Sequence, residues 1–172
     1  MRWLIDGYNV IRRDPDLRGA EASGLQSGRR ALLTRIAAVA RRLPDQFTVV
    51  FDGAPIPAPA LAGGQLEVLF SRPPDKADDV LIRLARQAGA GTAVVSSDRA
   101  VADAARRAGC AVIGAEAFVA ALADAAETDF GDQVADKAPV RGRSGNPRRL
   151  SREERAARRA LERLRRDGPT SA

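Results

Sequence analysis

Short apolar runs that stop at a glycine or a polar residue alternate along this chain with segments whose apolar residues recur at helical spacing. A short, continuous apolar run is typical of a buried strand, whereas spacings of three and four residues favour an amphipathic helix. Strands that alternate with helices are typical of a parallel sheet covered on both faces. The pattern therefore predicts a three-layer α/β/α fold with a mostly parallel central sheet of about five strands.

The element boundaries follow from these runs and from the residues that interrupt them. Strands are predicted at 2–5, 47–51, 66–70, 92–95 and 110–113, and helices at 29–43, 76–88, 99–108 and 116–125. We expect Asp75 to cap the second of these helices. Residues 12–28 and 54–59 are rich in glycine or proline and are predicted to be loops.

The C-terminal part of the chain differs from the rest in composition. Residues 1–125 form the predicted domain, and residues 126–149 lose periodicity, collect glycine and proline, and are predicted to be a linker. Within 150–172, Ser151 to Glu154 has the pattern of a capping box and opens a charged helix. Its apolar stripe of Ala157, Leu161 and Leu164 is expected to be too thin to hold it firmly against the domain.

The positive charge is concentrated in this tail. Residues 140–172 contain eleven arginines and four acidic residues, a net charge of +7, whereas residues 1–139 carry −1. Segregated positive charge indicates a polyanionic partner, most often nucleic acid.

The composition also excludes several kinds of active site. The chain has no histidine, which excludes Ser-His-Asp and Cys-His catalysis and histidine-ligated metals. Cys110 is the single cysteine, so no intrachain disulfide can form and a reducing compartment is favoured. No apolar window is long enough to span a membrane, and an acid at position 6 comes too early for a signal peptide. We therefore expect a cytoplasmic protein.

Acidic residues follow several of the predicted strands. Asp6, Asp52 and Asp98 come directly or shortly after strands, and the pair Asp78 and Asp79 opens the helix after the third strand. The carboxyl ends of parallel strands meet at one edge of a sheet, which is where such folds bind ligands. Clustered carboxylates repel one another unless a cation neutralises them, and oxygen ligands without His or Cys select Mg²⁺ or Mn²⁺. A metal held there would act on phosphates.

Each of these residues also has a purely structural explanation. Asp6 and Asp52 precede glycines and could be turn residues, Asp78 and Asp79 suit a helix N-terminus, and Asp98 could be an N-cap. The positions of all of them at one edge favour the functional interpretation. Further polar residues fall near the same edge: Asn9 beside Asp6, Ser96 and Ser97 as hydrogen-bonding groups, and Asp103 as a possible outer ligand.

Four segments together resemble the NYN domain of PIN-like nucleases, and most closely the YacP-type bacterial proteins. They are Ile5 to Ile11, Val49 to Gly53, Ala77 to Leu81 and Val94 to Asp98, in this order, and Asp6-Gly7-Tyr8-Asn9 is the most specific. The resemblance covers roughly residues 1–125 and implies a PIN-like fold and a metal-dependent endoribonuclease, with ribosome-associated RNA as a candidate substrate. It places the acidic centre on Asp6, Asp79 and Asp98, with Asn9 and Asp78 assisting and Asp52 beside them. The family's acid in the third motif corresponds to either Asp78 or Asp79.

The leading hypothesis is an endoribonuclease that cleaves single-stranded RNA with metal-activated water. Asp6, Asp78, Asp79 and Asp98 are its candidate ligands for Mg²⁺ or Mn²⁺. Asp52, Ser96, Ser97, Arg12, Arg13, Arg72 and Arg99 are the candidate substrate-binding residues. The alternative is a non-catalytic RNA- or ribosome-binding adaptor that uses the basic tail. A haloacid-dehalogenase-type phosphatase is disfavoured, because it needs a second Asp two residues after the first and position 8 is Tyr. A phospho-receiver is disfavoured, because it needs a lysine directly after the fifth strand and residues 114–116 contain none. The sequence leaves the oligomeric state open.

Overall fold

The computed structural model describes residues 1–53, 64–130 and 151–165. The strands are β1 (Arg2–Asp6), β2 (Gln46–Phe51), β3 (Leu66–Phe70), β4 (Thr92–Val95) and β5 (Ala111–Ile113). The helices are α1 (Gly7–Arg13), α2 (Pro15–Ala22), α3 (Leu25–Ala40), α4 (Ala77–Ala88), α5 (Arg99–Arg107), α6 (Ala115–Phe130) and α7 (Arg152–Arg165). The strands form one parallel sheet in the order β3-β2-β1-β4-β5. The predicted α/β/α fold with a parallel sheet is therefore confirmed.

Alternate residues of each strand face opposite layers of helices, as the pleat of a strand requires. Trp3 and Ile5 of β1 lie in the larger apolar cluster, which includes residues from α1, α3, α6 and α7. Leu4 lies in the smaller cluster with residues from α4 and α5. Both faces of the sheet are thus buried, which explains why the strands are continuous apolar runs.

The prediction that residues 12–28 form a loop was wrong. The end of α1, all of α2 and the start of α3 occupy this segment. Asp14 caps α2 because its side chain accepts a hydrogen bond from the backbone N–H of Leu17, and Pro15 stands at the first helical position. A proline there is compatible with a helix, since its missing N–H has no intrahelical partner.

Two further boundaries differ from the predictions. Asp75 does not cap α4, because Lys76 occupies the N-cap position. The side chain of Asp79 accepts a hydrogen bond from the backbone N–H of Lys76. Helix α6 continues to Phe130, beyond the predicted end at 125. Residues 126–130 of the linker predicted at 126–149 belong to α6, so that part of the prediction was wrong. The rest of that linker and the predicted loop at 54–59 lie outside the described residues.

Helix α7 is packed against the core, contrary to the expectation that its apolar stripe is too thin. Ala160 and Leu164 are fully buried in the larger apolar cluster, in contact with the layer that contains α6. Arg163 donates from its guanidinium to both oxygens of Asp45 at 2.9 Å. Asp45 is fully buried and also accepts hydrogen bonds from the indole N–H of Trp3 and from the N-terminal ammonium. The division into 1–125, 126–149 and 150–172 stays a prediction.

None of the helices in the described ranges is both long and apolar enough to cross a membrane.

Candidate active site

The candidate site lies where the order of the strands reverses. From β1 the chain proceeds outward through β2 and β3, then crosses back to place β4 on the other side of β1. The carboxyl ends of two strands that flank such a switch point form a crevice, which is the usual ligand site of an open parallel sheet. Here Asp6 ends β1, and Ser96, Ser97 and Asp98 directly follow β4.

Asp6 is held in a fixed orientation at this crevice. Its Oδ1 accepts a 3.0 Å hydrogen bond from the backbone N–H of Asn9, which makes Asp6 the N-cap of α1. Its Oδ2 accepts a 3.1 Å hydrogen bond from the hydroxyl of Ser96. Burial raises the pKa of Asp6, the hydrogen bonds from Asn9 and Ser96 oppose this shift, and the charges of Asp78 and Asp52 add to it. The side chain is therefore a buried acid in a negatively charged environment.

Ser96 also joins Asp6 to Asp98. The Ser96 Oγ accepts a 3.0 Å hydrogen bond from the backbone N–H of Asp98. Oδ1 of Asp98 accepts hydrogen bonds from Ala100 and Val101 and caps α5, as the structural explanation predicted. None of the described residues donates a hydrogen bond to Oδ2 of Asp98, so capping leaves this oxygen available to a ligand.

Asn9 and Ser97 connect the two loops that follow β1 and β4. Oδ1 of Asn9 accepts a 3.0 Å hydrogen bond from the backbone N–H of Ser97. The hydroxyl of Ser97 accepts one from the backbone N–H of Ala115, at the start of α6. In this structure Ser97 therefore holds α6 against the loop, while its predicted contact with substrate stays a prediction.

Asp52 brings the start of α4 to the same edge of the sheet. Its Oδ1 accepts hydrogen bonds from the hydroxyl of Ser71 at 2.8 Å and from the backbone N–H of Ala77 at 2.6 Å. These contacts tie the end of β2 to the loop after β3 and to the first residue of α4. As a result, Asp78 and Asp79 begin a helix at the same edge of the sheet as Asp6, Asp52 and Asp98. We call this edge, with these five residues, the acidic edge.

Asp78 and Asp79 play different parts in this structure. The side chain of Asp79 is turned back to the backbone N–H of Lys76 and stabilises the helix N-terminus. Asp78 accepts no hydrogen bond from the described residues, and it is electrostatically coupled to the acidic edge. Burial raises its pKa, and the charges of Asp98, Asp52 and Asp79 raise it further, against a lowering by Lys76. Of the two residues that the sequence left unresolved, Asp78 is the one coupled to Asp6 and Asp98.

Arg29 is a residue of this region that the sequence analysis missed. It is buried in α3 and its guanidinium lies over the rings of Tyr8, Phe51 and Phe70 at 5.2 to 5.4 Å from their centroids. It donates hydrogen bonds to the hydroxyl of Tyr8 and to the backbone carbonyl of Asp52. An arginine on a helix within an Arg-rich chain gives no local signal of such a role, because its partners come from three other elements.

The candidate substrate-binding arginines are all exposed. Arg12 lies 5.9 Å from the ring centroid of Tyr8, and Arg72 directly follows Ser71. Arg99 begins α5 beside Asp98 and lies 3.9 Å from Asp103. Arg13 forms an ion pair with Glu116 at the surface. Their contacts with substrate stay predictions.

The acidic edge fits a divalent ion in its chemistry, although it does not form a closed cage. Within residues 1–53, 64–130 and 151–165, no group of three or more Asp, Glu or Cys side chains is arranged tightly enough to hold a metal by itself. Mg²⁺ rarely needs such a cage, because it keeps several waters and binds one or two carboxylates together with substrate phosphates. The carboxylates of Asp78 and Asp98 are hard oxygen groups of the kind that Mg²⁺ takes, and charge interactions link Asp78 to both Asp98 and Asp6.

Comparisons with known proteins support the fold. The crystal structure of Rae1 (YacP) from Bacillus subtilis superposes with a TM-score of 0.65 and 21% identity, over 76% of this chain and 78% of that one. A tryptophan-to-leucine variant of the same protein gives 0.60 and 20%, over 78% and 87%. No curated protein matches the chain.

The model of the YacP-like NYN domain family matches residues 3–166, and this match includes α7 as well as the sheet. The sequence resemblance alone had covered only about residues 1–125. The chain therefore belongs to the YacP-like NYN domain family, which is nuclease-like.

Proposed function

We propose that this protein is a metal-dependent endoribonuclease that hydrolyses phosphodiester bonds of single-stranded RNA. The observation that carries the proposal is the hydroxyl of Ser96, which joins Asp6 and Asp98 at the switch point between β1 and β4. The α4 end that bears Asp78 is tied to the same edge through Asp52. Clustered carboxylates at this position of a parallel sheet are suited to hold a cation against a phosphate.

Each side chain has a distinct part in the proposed reaction. Asp6, Asp78 and Asp98 would hold Mg²⁺ or Mn²⁺, with Asp52 positioning α4 beside them. When bound, such an ion supplies activation of water and charge stabilisation at the phosphate. Asp6 is fixed by two hydrogen bonds and would therefore offer the ion a carboxylate of constant orientation. Asp78 accepts no hydrogen bond from the described residues and is therefore free to orient the attacking water.

Asn9 and the arginines complete the proposed site. Asn9 holds the loop after β4 against α1, because its side-chain oxygen accepts a hydrogen bond from the backbone N–H of Ser97. Arg12, Arg72 and Arg99 would contact phosphates on either side of the scissile bond. Arg13 can join them, since its exposed ion pair with Glu116 is of a kind that contributes only about 0.2–1 kcal/mol.

The direct test is cleavage of a labelled single-stranded RNA by the full chain in the presence of Mn²⁺. We expect cleavage that EDTA abolishes and that the substitution Asp6→Asn removes. Asp16→Asn is the matched control, because Asp16 is exposed on α2 and lies outside the candidate site. Undiminished cleavage by the Asp6 variant would reject the site. Binding of RNA without cleavage under any divalent ion would instead identify a non-catalytic adaptor.

We also propose that RNA on the ribosome is among the substrates and that the protein acts in the cytoplasm. This extension is supported by the family resemblance of the Asp6 to Asn9 motif. Its test is the rate of cleavage of one messenger RNA, free and on translating ribosomes, with equal concentrations of enzyme. A faster reaction on the ribosome is expected, and equal rates would contradict the extension.

A further inference from the structure

A second concave surface lies at the opposite end of the sheet from the acidic residues. A groove of about 690 Å³ opens at the amino ends of β1, β4 and β5. One side is α7, which contributes Arg152, Arg159, Arg163 and the acidic Glu162, and the other includes Gly91 and Gly109. The proposed catalytic side chains all lie at the carboxyl ends of the strands, so this groove is a separate surface.

The positive charge of this groove is not neutralised by the described residues. Arg158 pairs with Glu162, Arg163 with Asp45 and Arg165 with Asp124, while Glu153 is bound by Arg106. Arg152 and Arg159 form no ion pair with any described residue, and both line the groove. The uncompensated charge of α7 is therefore directed to the groove, which favours an anionic occupant.

The spacing of these two arginines indicates the kind of anion. Arg152 and Arg159 are seven residues apart on one helix face, so their Cα atoms are separated by about 10.5 Å along the axis. Cations spread along the groove in this way can each contact a different phosphate of one strand. Two well-separated cations therefore favour a polynucleotide over a mononucleotide.

The opposite wall allows a strand to approach closely. Gly91 has a φ of 89° and no atom within 4 Å of the position that a Cβ would occupy, and Gly109 has a φ of 79°. Both glycines adopt conformations that other residues rarely take, and both leave the backbone uncovered. At these two positions the side of the groove that faces α7 presents backbone, beside the side chains of Met1, Thr92 and Ala111.

We propose that this groove binds the phosphates of a single-stranded nucleic acid through Arg152 and Arg159. The inference rests on the proposed function in one respect: RNA, as the proposed substrate, is the strand expected to occupy it. The groove would then hold a part of the RNA remote from the bond that is cleaved, and would contribute affinity rather than chemistry.

The test measures binding without cleavage. In the full chain carrying Asp6→Asn, binding of a fluorescent 20-nucleotide RNA is followed by anisotropy at several salt concentrations, with and without Arg152→Gln and Arg159→Gln together. Each phosphate contact on a single strand contributes about 0.7 to the log–log salt slope, so the double variant should lose about 1.4. The matched control is Arg18→Gln with Arg41→Gln, which removes the same charge from exposed positions outside the groove.

The outcomes separate this inference from the proposed function. An unchanged RNA affinity and salt slope in the Arg152 and Arg159 variant would overturn the proposal that the groove binds RNA. An equal loss of slope in the control variant would overturn it too. Binding of adenosine monophosphate with the affinity of the RNA would also overturn it, because one phosphate would then suffice. Normal RNA binding by the groove together with no cleavage by the unsubstituted protein would reject only the nuclease. An unchanged thermal midpoint is expected for the double variant, since neither arginine has an ion pair to lose.

Discussion

The hydroxyl of Ser96 donates a 3.1 Å hydrogen bond to Oδ2 of Asp6, which lies ninety residues away in the chain. The hydroxyl oxygen of Ser96 also accepts a 3.0 Å hydrogen bond from the backbone N–H of Asp98. One side chain thus fixes the acidic residues of two adjacent strands relative to each other. We therefore expect the alignment of the proposed site to depend on this hydroxyl as well as on the acids.

Ser96→Ala is expected to lower the cleavage rate while the fold is kept. A hydrogen bond to a charged group contributes about 1.5–3 kcal/mol, which corresponds to a loss of about ten- to a hundredfold in rate. The measurement is kcat under saturating Mn²⁺, with Ser27→Ala at an exposed position of α3 as the control. A rate equal to that of the unsubstituted protein would show that Ser96 does not align the site.

Asp6→Asn is expected to stabilise the metal-free protein at neutral pH. Because burial raises the pKa of Asp6, the unfolded chain releases this proton at lower pH than the folded protein. The free energy of unfolding therefore falls as pH rises from the ordinary value of 3.8 through the raised pKa, and Asn removes that fall.

Thermal unfolding in EDTA at pH 3 and pH 7 tests this expectation. The midpoint of the Asn variant should exceed that of the unsubstituted protein at pH 7, with the gain reduced at pH 3. Added Mn²⁺ should raise the midpoint of the unsubstituted protein and leave that of the variant unchanged. A variant that is less stable at pH 7 would contradict the assignment of a buried, unfavourable charge.

Asp78 and Asp79 are expected to respond oppositely to substitution. Asp78→Asn should abolish cleavage with little loss of stability, since Asp78 accepts no hydrogen bond from the described residues. Asp79→Ala should keep cleavage and lower the free energy of unfolding by about 1 kcal/mol, because it removes the hydrogen bond to the N–H of Lys76. Urea unfolding and cleavage are measured on both variants, and a reversed pattern would place Asp79 in the metal site.

Arg29→Met is expected to weaken both stability and activity. The substitution removes the contacts with three aromatic rings and the hydrogen bond to the carbonyl of Asp52, a loss of about 2 kcal/mol. Arg29→Lys should recover only part of it, because an ammonium group cannot reproduce the planar guanidinium. Arg30→Met, at the exposed neighbouring position, is the control for both measurements. Full recovery by lysine would mean that charge alone matters at this position.

Asp45→Asn is expected to destabilise the fold by about 1–3 kcal/mol at pH 7. Burial opposes the charge of Asp45, but hydrogen bonds from Arg163, the N-terminal ammonium and Trp3 outweigh it and lower the pKa. The stabilisation is therefore present above the ordinary value of 3.8 and is lost as pH falls through the lowered pKa. Urea unfolding from pH 7 to pH 2 measures it, and Asp103→Asn, which breaks only surface ion pairs, is the control. Equal stability of the Asp45 variant and the unsubstituted protein at pH 7 would refute this role.

The strands and the acidic edge could be predicted because their signals are local. The run Thr92 to Val95 is apolar enough to indicate a buried strand by itself, and an acid that follows such a run falls at the carboxyl edge in any parallel sheet. Residues 12–28 were missed because Pro15 and Gly19 usually interrupt helices, whereas here Asp14 and Pro15 together begin one.

The remaining features depend on contacts between distant residues. Arg29 touches rings from three other elements, and Arg163 meets Asp45 across 118 residues. A single sequence contains no signal of these pairings, since each partner is an ordinary residue in its own segment.

Ala160 and Leu164 of α7 fill the same apolar interior as Trp3, whose indole contacts the ring of Phe118. Helix α7 thus packs on the same apolar interior as the sheet. Cutting the chain before this helix would uncover that interior, and any activity lost would report collapse of the whole molecule rather than release of RNA. The contribution of its arginines has to be measured by substitutions in the intact chain.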